Sequence, residues 1–355
     1  MLKQNHNVYK EIAISFIERI IGECGPIFDS VLLGGSAGRG EAALLHLGDR
    51  EILLSDLDLY LFAKNPFPQI KVIIDREINN FMQTIDKDFE ISPFFHISAP
   101  LQSPDSLLKA WKNLRFFEML HSASVIYGKD FRTPRMKEEI VSLDPIFTYR
   151  LLIERVMQQI LFNNFCVCQD DYLHHYFFCR NIAELATIVL YTNNEYATSY
   201  IQRTKLLGSY VDEVKKVAPG FDWPRIFKNI QWATEVKTRP TPEKISEFTR
   251  EFYAKEMHYG FLGVFVYLKN KFGNIFDYSI GECSFLPLKT FLGSIYLFSK
   301  KPRYYLPNLL EKEFLEMLPL ITVPKERLKE KEIEKIIRPY YYRTRHKDYR
   351  KGDLS

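Results

Sequence analysis

Cysteine is scarce, with five in 355 residues. Cys24, Cys166, Cys168, Cys179 and Cys283 are odd in number and scattered, and no C-x-x-C pair occurs. That pattern argues against a disulfide framework and a cysteine-based zinc site, and it fits a reducing compartment. No Gly-Lys-Ser/Thr follows a glycine-rich turn, which excludes a P-loop. Long apolar runs are also missing. The longest, Tyr259 to Leu268 and Phe291 to Phe298, fall well short of the roughly 20 residues that a membrane-spanning helix needs. The N-terminal segment MLKQNHNVYKEIAISFIERI has polar residues early and acids soon after, so it reads as an amphipathic helix rather than a signal peptide. A cytoplasmic protein with no transmembrane segment is expected. Charge of one sign is not in large excess: the net charge of +4 does not by itself mark a nucleic-acid binder.

Large apolar groups are plentiful. With 28 Phe and 21 Tyr the chain is built to bury a core, not to stay solvated. Apolar residues at Ile12, Phe16, Ile20 and Ile21 predict a helix that Gly25-Pro26 stops. Ser30 to Gly35 reads as a short strand closed by glycines, Leu53 to Phe62 as a second and Phe89 to Ser98 as a third, with a helix over Gln69 to Ile85. From Ile146 onward the spacing is helical, over Tyr149 to Phe165, Tyr172 to Tyr191, Ile201 to Val217 and Ile245 to Phe272. The expected class is α+β, with a mixed sheet and flanking helices over residues 1–140 and a mostly helical bundle over 141–324. Residues 325–355 form a basic, tyrosine-rich tail.

Two segments carry chemistry. The first, Gly34-Gly35-Ser36-Ala37-Gly38-Arg39-Gly40-Glu41, follows a strand. Its glycines permit a sharp turn and close approach of a ligand, Ser36 is a good helix N-cap, and a helix start favours an anion such as phosphate. The second is Leu54-Ser55-Asp56-Leu57-Asp58-Leu59-Tyr60-Leu61-Phe62. Alternate residues of a strand share a face, so Asp56 and Asp58 point one way and Leu57, Leu59 and Leu61 the other. Two carboxylates about 4 Å apart repel by roughly 4 kcal/mol at an effective dielectric near 20. A divalent cation offsets this, and hard oxygen ligands suit Mg²⁺. A solvated edge strand is the bland alternative. Gly38 to Ala43 also fits a loose dinucleotide fingerprint, with Asp58 about 20 residues on. That fold, however, needs one acid rather than a same-face pair, and its glycines directly follow the strand.

Together, Gly-Gly-Ser and then Asp-x-Asp on the next strand resemble the signature of the DNA-polymerase-β-like nucleotidyltransferases. The GGSAGRGE form with a helical second domain is most similar to the small-molecule branch, which includes the aminoglycoside nucleotidyltransferases. The resemblance covers about the first third of the chain. It implies phosphate binding by Gly35 and Ser36, and metal binding by Asp56 and Asp58; Arg39 lies close to the turn, to aid the phosphates or instead to pair with Glu41 or another surface acid. It also implies a third acid on a following strand, as metal ligand or general base, for which Glu90 is the candidate and Asp86 and Asp88 its rivals. A polar cluster in the helical domain, at Ser199, Arg203 and Lys205, is the expected counterpart for nucleotide phosphates. The implied activity transfers a nucleoside monophosphate from an NTP, with ATP favoured, to an acceptor hydroxyl, with Mg²⁺ as one ion or two. A small-molecule acceptor is expected. The alternatives are RNA, protein or another nucleotide as acceptor, as in toxin-like or signal-making relatives, or a regulatory nucleotide-binding module without turnover. One departure stands out: the link EAALLHLGDREILL between Ser36 and Asp56 is longer than usual, which implies a longer helix or an added turn. The basic tail after Pro339 is the expected RNA contact, if RNA is a partner, because cations meet phosphates and tyrosines stack on bases. Adjacent His174 and His175 diverge on a helix and do not chelate one ion.

Overall fold

The computed structural model describes residues 2–65, 68–85, 89–92, 95–104, 114–132, 145–165, 171–272, 315 and 318–321. The expected tail, the acids Asp86 and Asp88, and Phe291 to Phe298 lie outside the described residues. The protein is mixed α and β, and the described strands all precede residue 129. No described helix is long and apolar enough to cross a membrane.

The chain forms two compact units. The first takes the described residues within Met1–Ser142 and adds Ala197–Arg203 and Glu235–Ile245 from the helical half. The second takes those within Leu143–Tyr196, Thr204–Thr234 and Ser246–Ser355. The two units thus interleave along the chain, where the sequence suggested a single division near residue 140.

In the first unit, helix α1 (Leu2–Cys24) buries Tyr9, Ile12, Ala13, Phe16, Ile17 and Ile20, the three-and-four spacing that one helix face requires. It packs on α3 (Pro68–Ile85), where the Phe16 and Phe81 rings stand 5.2 Å apart. Strand β1 (Ser30–Leu33) is buried along its whole length because it is central. It pairs antiparallel with β4 (Leu57–Phe62) on one side and with β8 (Ser124–Gly128) on the other. The short strands β6 (Ile97–Ser98) and β7 (Leu101–Gln102) lie parallel to β4 on its far edge. Each face of this sheet has its own apolar cluster. Val31, Leu33, Leu57, Leu59 and Leu61 pack with residues of α1 and α3. Leu32, Tyr60 and Phe62 pack with Met119 and Leu120 of α4 (Leu114–Ser122).

The long link after the Gly-Gly-Ser turn is neither a longer helix nor a simple turn. It is a hairpin of β2 (Leu44–Leu47) and β3 (Arg50–Leu53), extended by β5 (Glu90–Ile91) into a separate three-stranded sheet. The single strand expected over Leu53 to Phe62 is therefore two, broken at Leu54 to Asp56. Likewise, the strand expected over Phe89 to Ser98 supplies β5 to one sheet and β6 to the other. The break has a physical anchor. The fully buried Tyr9 hydroxyl donates to Ala43 O at 2.6 Å and accepts from Ser55 N at 3.0 Å, while Ala43 N donates to Ser55 Oγ at 2.8 Å. Ala43 O keeps a second donor, Leu54 N at 3.1 Å. Tyr9→Phe chiefly strands the Ser55 N–H in the core and is expected to lower unfolding free energy by about 1–3 kcal/mol, measured by urea denaturation.

The second unit is helical. Helices α5 (Pro145–Phe165), α6 (Asp171–Thr192) and α11 (Arg250–Phe272) pack together, and α6 is buried over most of its circumference. A helix buried all round is the centre of a bundle. Its polar residues are tied internally: Asn181 Nδ2 donates to Gln159 Oε1 at 2.9 Å, and Arg155 pairs with Glu184 at 3.3 Å. Helix α9 (Trp223–Thr238) was not anticipated, although its start signal is present. Asp222 Oδ1 accepts from Arg225 N at 3.2 Å, and Pro224 sits in the first turn, where no N–H is needed. The helix expected over Ile201 to Val217 is divided at Gly208–Tyr210 into α7 (Tyr200–Leu207) and α8 (Val211–Val217). The one expected over Ile245 to Phe272 divides into α10 (Pro242–Ile245) and α11.

Candidate functional site

Asp56 and Asp58 flank the start of β4, and both are partly exposed while Leu57 and Leu59 between and beyond them are fully buried. The alternation holds: the leucines enter one core cluster, and Asp58 shares its face with Tyr60 and Phe62 of the other. The Gly-Gly turn crosses that same face. Gly34 N donates to Asp58 O at 2.7 Å, extending the β1–β4 ladder by one residue. A Cβ on Gly34 would stand 2.5 Å from Tyr60 Cε2, and one on Gly35 would stand 2.3 Å from Asp58 Oδ2. Gly35 also has φ +58°, the left-handed region that a side chain disfavours. Both glycines are therefore required by close approach, and the Asp58 carboxylate lies against the turn. Ser36 is not the N-cap. That position belongs to Gly34, and Ser36 sits inside the short helix α2 (Gly35–Gly38).

Glu90 is in β5, paired with β3 in the three-stranded sheet, and not on the sheet that carries Asp58. Both of its oxygens accept from Arg50 at 2.6 Å. The strand that does flank the aspartates is β6, and it brings His96 instead: His96 Nδ1 lies 3.0 Å from Asp56 Oδ1. Among the described residues, no group of three or more His, Cys, Asp or Glu side chains is gathered to hold a metal ion. The oxygen donors offered are the two carboxylates. That set fits Mg²⁺ or a similar ion in a nucleotide site, since such ions take one or two carboxylates and fill the remaining positions with water and substrate phosphates. Asp56 and Asp58 are the residues that would hold it.

The remaining candidates divide. Arg39, Ser199 and Arg203 come together within the first unit, whereas Lys205 is exposed and belongs to the second. Their partners are internal. Ser199 Oγ donates to Glu41 Oε1 at 2.6 Å, and Tyr200 N donates to Glu41 Oε2 at 3.1 Å, so Glu41 caps the start of α7 from 159 residues away. Arg39 Nε meets Glu41 Oε2 at 3.3 Å, and Arg39 Nη1 lies 3.5 Å from Glu118. Arg203, only 1% exposed, donates to Glu118, to Ala197 O at 2.7 Å and to Thr198 O at 2.9 Å. The Tyr200 ring is the hub. Arg39, Arg203 and Lys237 stand 5.2, 4.4 and 3.9 Å from its centroid.

Arg39, Arg203 and Lys237, with Glu41, Glu118 and the Tyr200 ring, tether Ala197–Arg203 to the sheet-bearing part of the first unit. The Arg39–Glu41 pair is the one that sequence proximity offers; Glu118, Tyr200 and Lys237 were not foreseen because nothing in local spacing joins residues so far apart. Glu41→Ala removes an acceptor from Ser199, Tyr200 N and Arg39 together, and leaves a buried guanidinium with less compensation. It is expected to cost about 3 kcal/mol of stability, and Glu41→Gln, which keeps the acceptor oxygen, about 1 kcal/mol, both measured by thermal unfolding.

The chain matches no known protein-family model, and its sequence matches no curated protein.

Proposed function

We propose that the protein is a metal-dependent nucleotidyltransferase that moves a nucleoside monophosphate from an NTP to the hydroxyl of a small-molecule acceptor and releases pyrophosphate. The observation that carries this reading is the convergence on one sheet face of the Gly34-Gly35 turn and the Asp56/Asp58 pair, with Gly35 pressed against the Asp58 carboxylate. The missing side chain lets the turn's backbone come up against that carboxylate, so phosphates on the turn and a cation on the carboxylate would lie side by side. The bound cation would neutralise charge on the transferring phosphoryl group and on the pyrophosphate. The chain's own residues do the positioning. Asp56 and Asp58 would hold that cation, and the turn's backbone would limit how the phosphates approach. ATP is the favoured donor.

A nucleotide-binding module without turnover is the second reading, favoured by the engagement of Glu90 with Arg50, which withdraws the expected third acid. One experiment separates the two. The protein is incubated with each α-labelled NTP, Mg²⁺ or Mn²⁺ and a cell extract, with Asp56→Ala and Asp58→Ala as controls. Label in an acceptor from the native chain and none from the variants is expected. Equal labelling by native chain and variants overturns the assignment, and nucleotide binding without label transfer selects the module.

A further inference from the structure

The strand beside the aspartates presents a nitrogen ligand in place of a third carboxylate. Ile97 and Ser98 of β6 pair in parallel with Leu57 and Asp58 of β4, and Leu57 N donates to His96 O at 3.0 Å. Residues in register on neighbouring strands point to the same face, so Ser98 stands beside Asp58 and His96 beside Asp56. His96 Nδ1 is 3.0 Å from Asp56 Oδ1, with the imidazole 42% exposed and the carboxylate 13%. That separation has a simple meaning for a metal. Two adjacent ligands of an octahedral ion, each about 2.1 Å from it at a right angle, stand about 3.0 Å apart.

We propose that His96 Nδ1 and Asp56 Oδ1 are neighbouring ligands of one divalent cation, and that this nitrogen–oxygen pair makes the site prefer a first-row transition ion to Mg²⁺. The proposal rests on the reading of Asp56 as a metal carboxylate. Mg²⁺ is hard, sheds water reluctantly and gains little from imidazole. Affinity for nitrogen donors rises from Mn²⁺ through Fe²⁺ to Co²⁺. Mn²⁺, at the low end of that series, is the demanding probe, and Co²⁺ should bind more tightly still. The rival explanation of the 3.0 Å contact is an imidazole N–H donated to the carboxylate, which would orient Asp56 and add no ligand.

The test uses the full chain with α,β-methylene-ATP and needs no turnover. Mn²⁺ is titrated by electron paramagnetic resonance, with Mg²⁺ and Co²⁺ as competitors, and the bound Mn²⁺ is examined by pulsed methods for coupling to a ligand ¹⁴N. In the native chain, Mn²⁺ should bind at least about tenfold more tightly than Mg²⁺, and imidazole coupling should be present. His96→Ala should lose the coupling and most of the preference. His96→Asp should lose the coupling, retain the ion and raise Mg²⁺ affinity, which guards against a variant that fails merely by misfolding. A native Mn²⁺ complex without ¹⁴N coupling, or a Mn²⁺/Mg²⁺ ratio that His96→Ala leaves unchanged, overturns the proposal. Failure of the underlying reading looks different and overturns both: Asp56→Asn and Asp58→Asn would then bind Mn²⁺ as the native chain does, or the native chain would bind none.

Discussion

Asp58→Asn is expected to reduce nucleotidyl transfer by about 10³-fold or more while leaving the protein nearly as stable as before. The two effects come from one change. Asn keeps the shape of Asp, so the contacts of β4 and the close approach of Gly35 survive, and the neighbouring leucines stay buried. What goes is one of two negative charges on a single strand face. In the folded protein without metal, like charges on one strand face disfavour each other, so neutralising one offsets part of what its other contacts lose. In the proposed catalytic complex the same charge would help to hold the cation. Label transfer from an α-labelled NTP reads the first effect and urea unfolding the second. A variant that lost stability and kept activity would make Asp58 a structural residue. Parallel loss of both would leave the roles unseparated, which is why Asn rather than Ala is the variant to compare.

The reasons why some of this site was legible in the sequence, and some not, are physical. The period of two on a strand depends on nothing outside the segment, so the common face of Asp56 and Asp58 could be read directly. The apolar stripe of α1 is local in the same way. The break before Asp56 is not local. It depends on the Tyr9 hydroxyl reaching Ser55 N across 46 residues. Glu90 shows the limit most clearly. Its strand character was visible, but an acid between apolar residues carries no label for the sheet it will join, and Arg50, at the end of an unforeseen hairpin, is what engages it. Nothing in the sequence marks His96, because a lone histidine has no metal spacing. Its position beside Asp56 follows from the register of β6 on β4, which only the folded chain specifies. The basic residues Arg39 and Arg203 were recognised, and so was Glu41 as a partner for Arg39, but not that Glu118 and one tyrosine ring would gather them.

Gly35→Ala tests the other half of the site, and its expected effect is nearly as large. The added methyl meets two obstacles. At φ +58° an alanine is strained, which costs roughly 1 kcal/mol. The methyl would also stand 2.3 Å from Asp58 Oδ2, a contact no real structure tolerates. Relief is available, because the obstructing atom is the end of a side chain that can rotate. The fold therefore survives with a stability loss of about 1–2 kcal/mol, seen as a modest drop in Tm. Rotation of the carboxylate, however, moves the one group that Asp58→Asn would neutralise. Activity is expected to fall by about 10²-fold or more, since displacement of a reacting group by about 1 Å can cost that much. Divalent-ion affinity should fall with it. The contrast with Asp58→Asn is diagnostic. One variant keeps the carboxylate and misplaces it, and the other keeps the place and removes the charge. If the glycine serves only the turn, Gly35→Ala lowers Tm and leaves kcat/KM and Mn²⁺ binding unchanged. If it serves the site, catalysis falls much further than stability, and both variants lose activity through the same carboxylate.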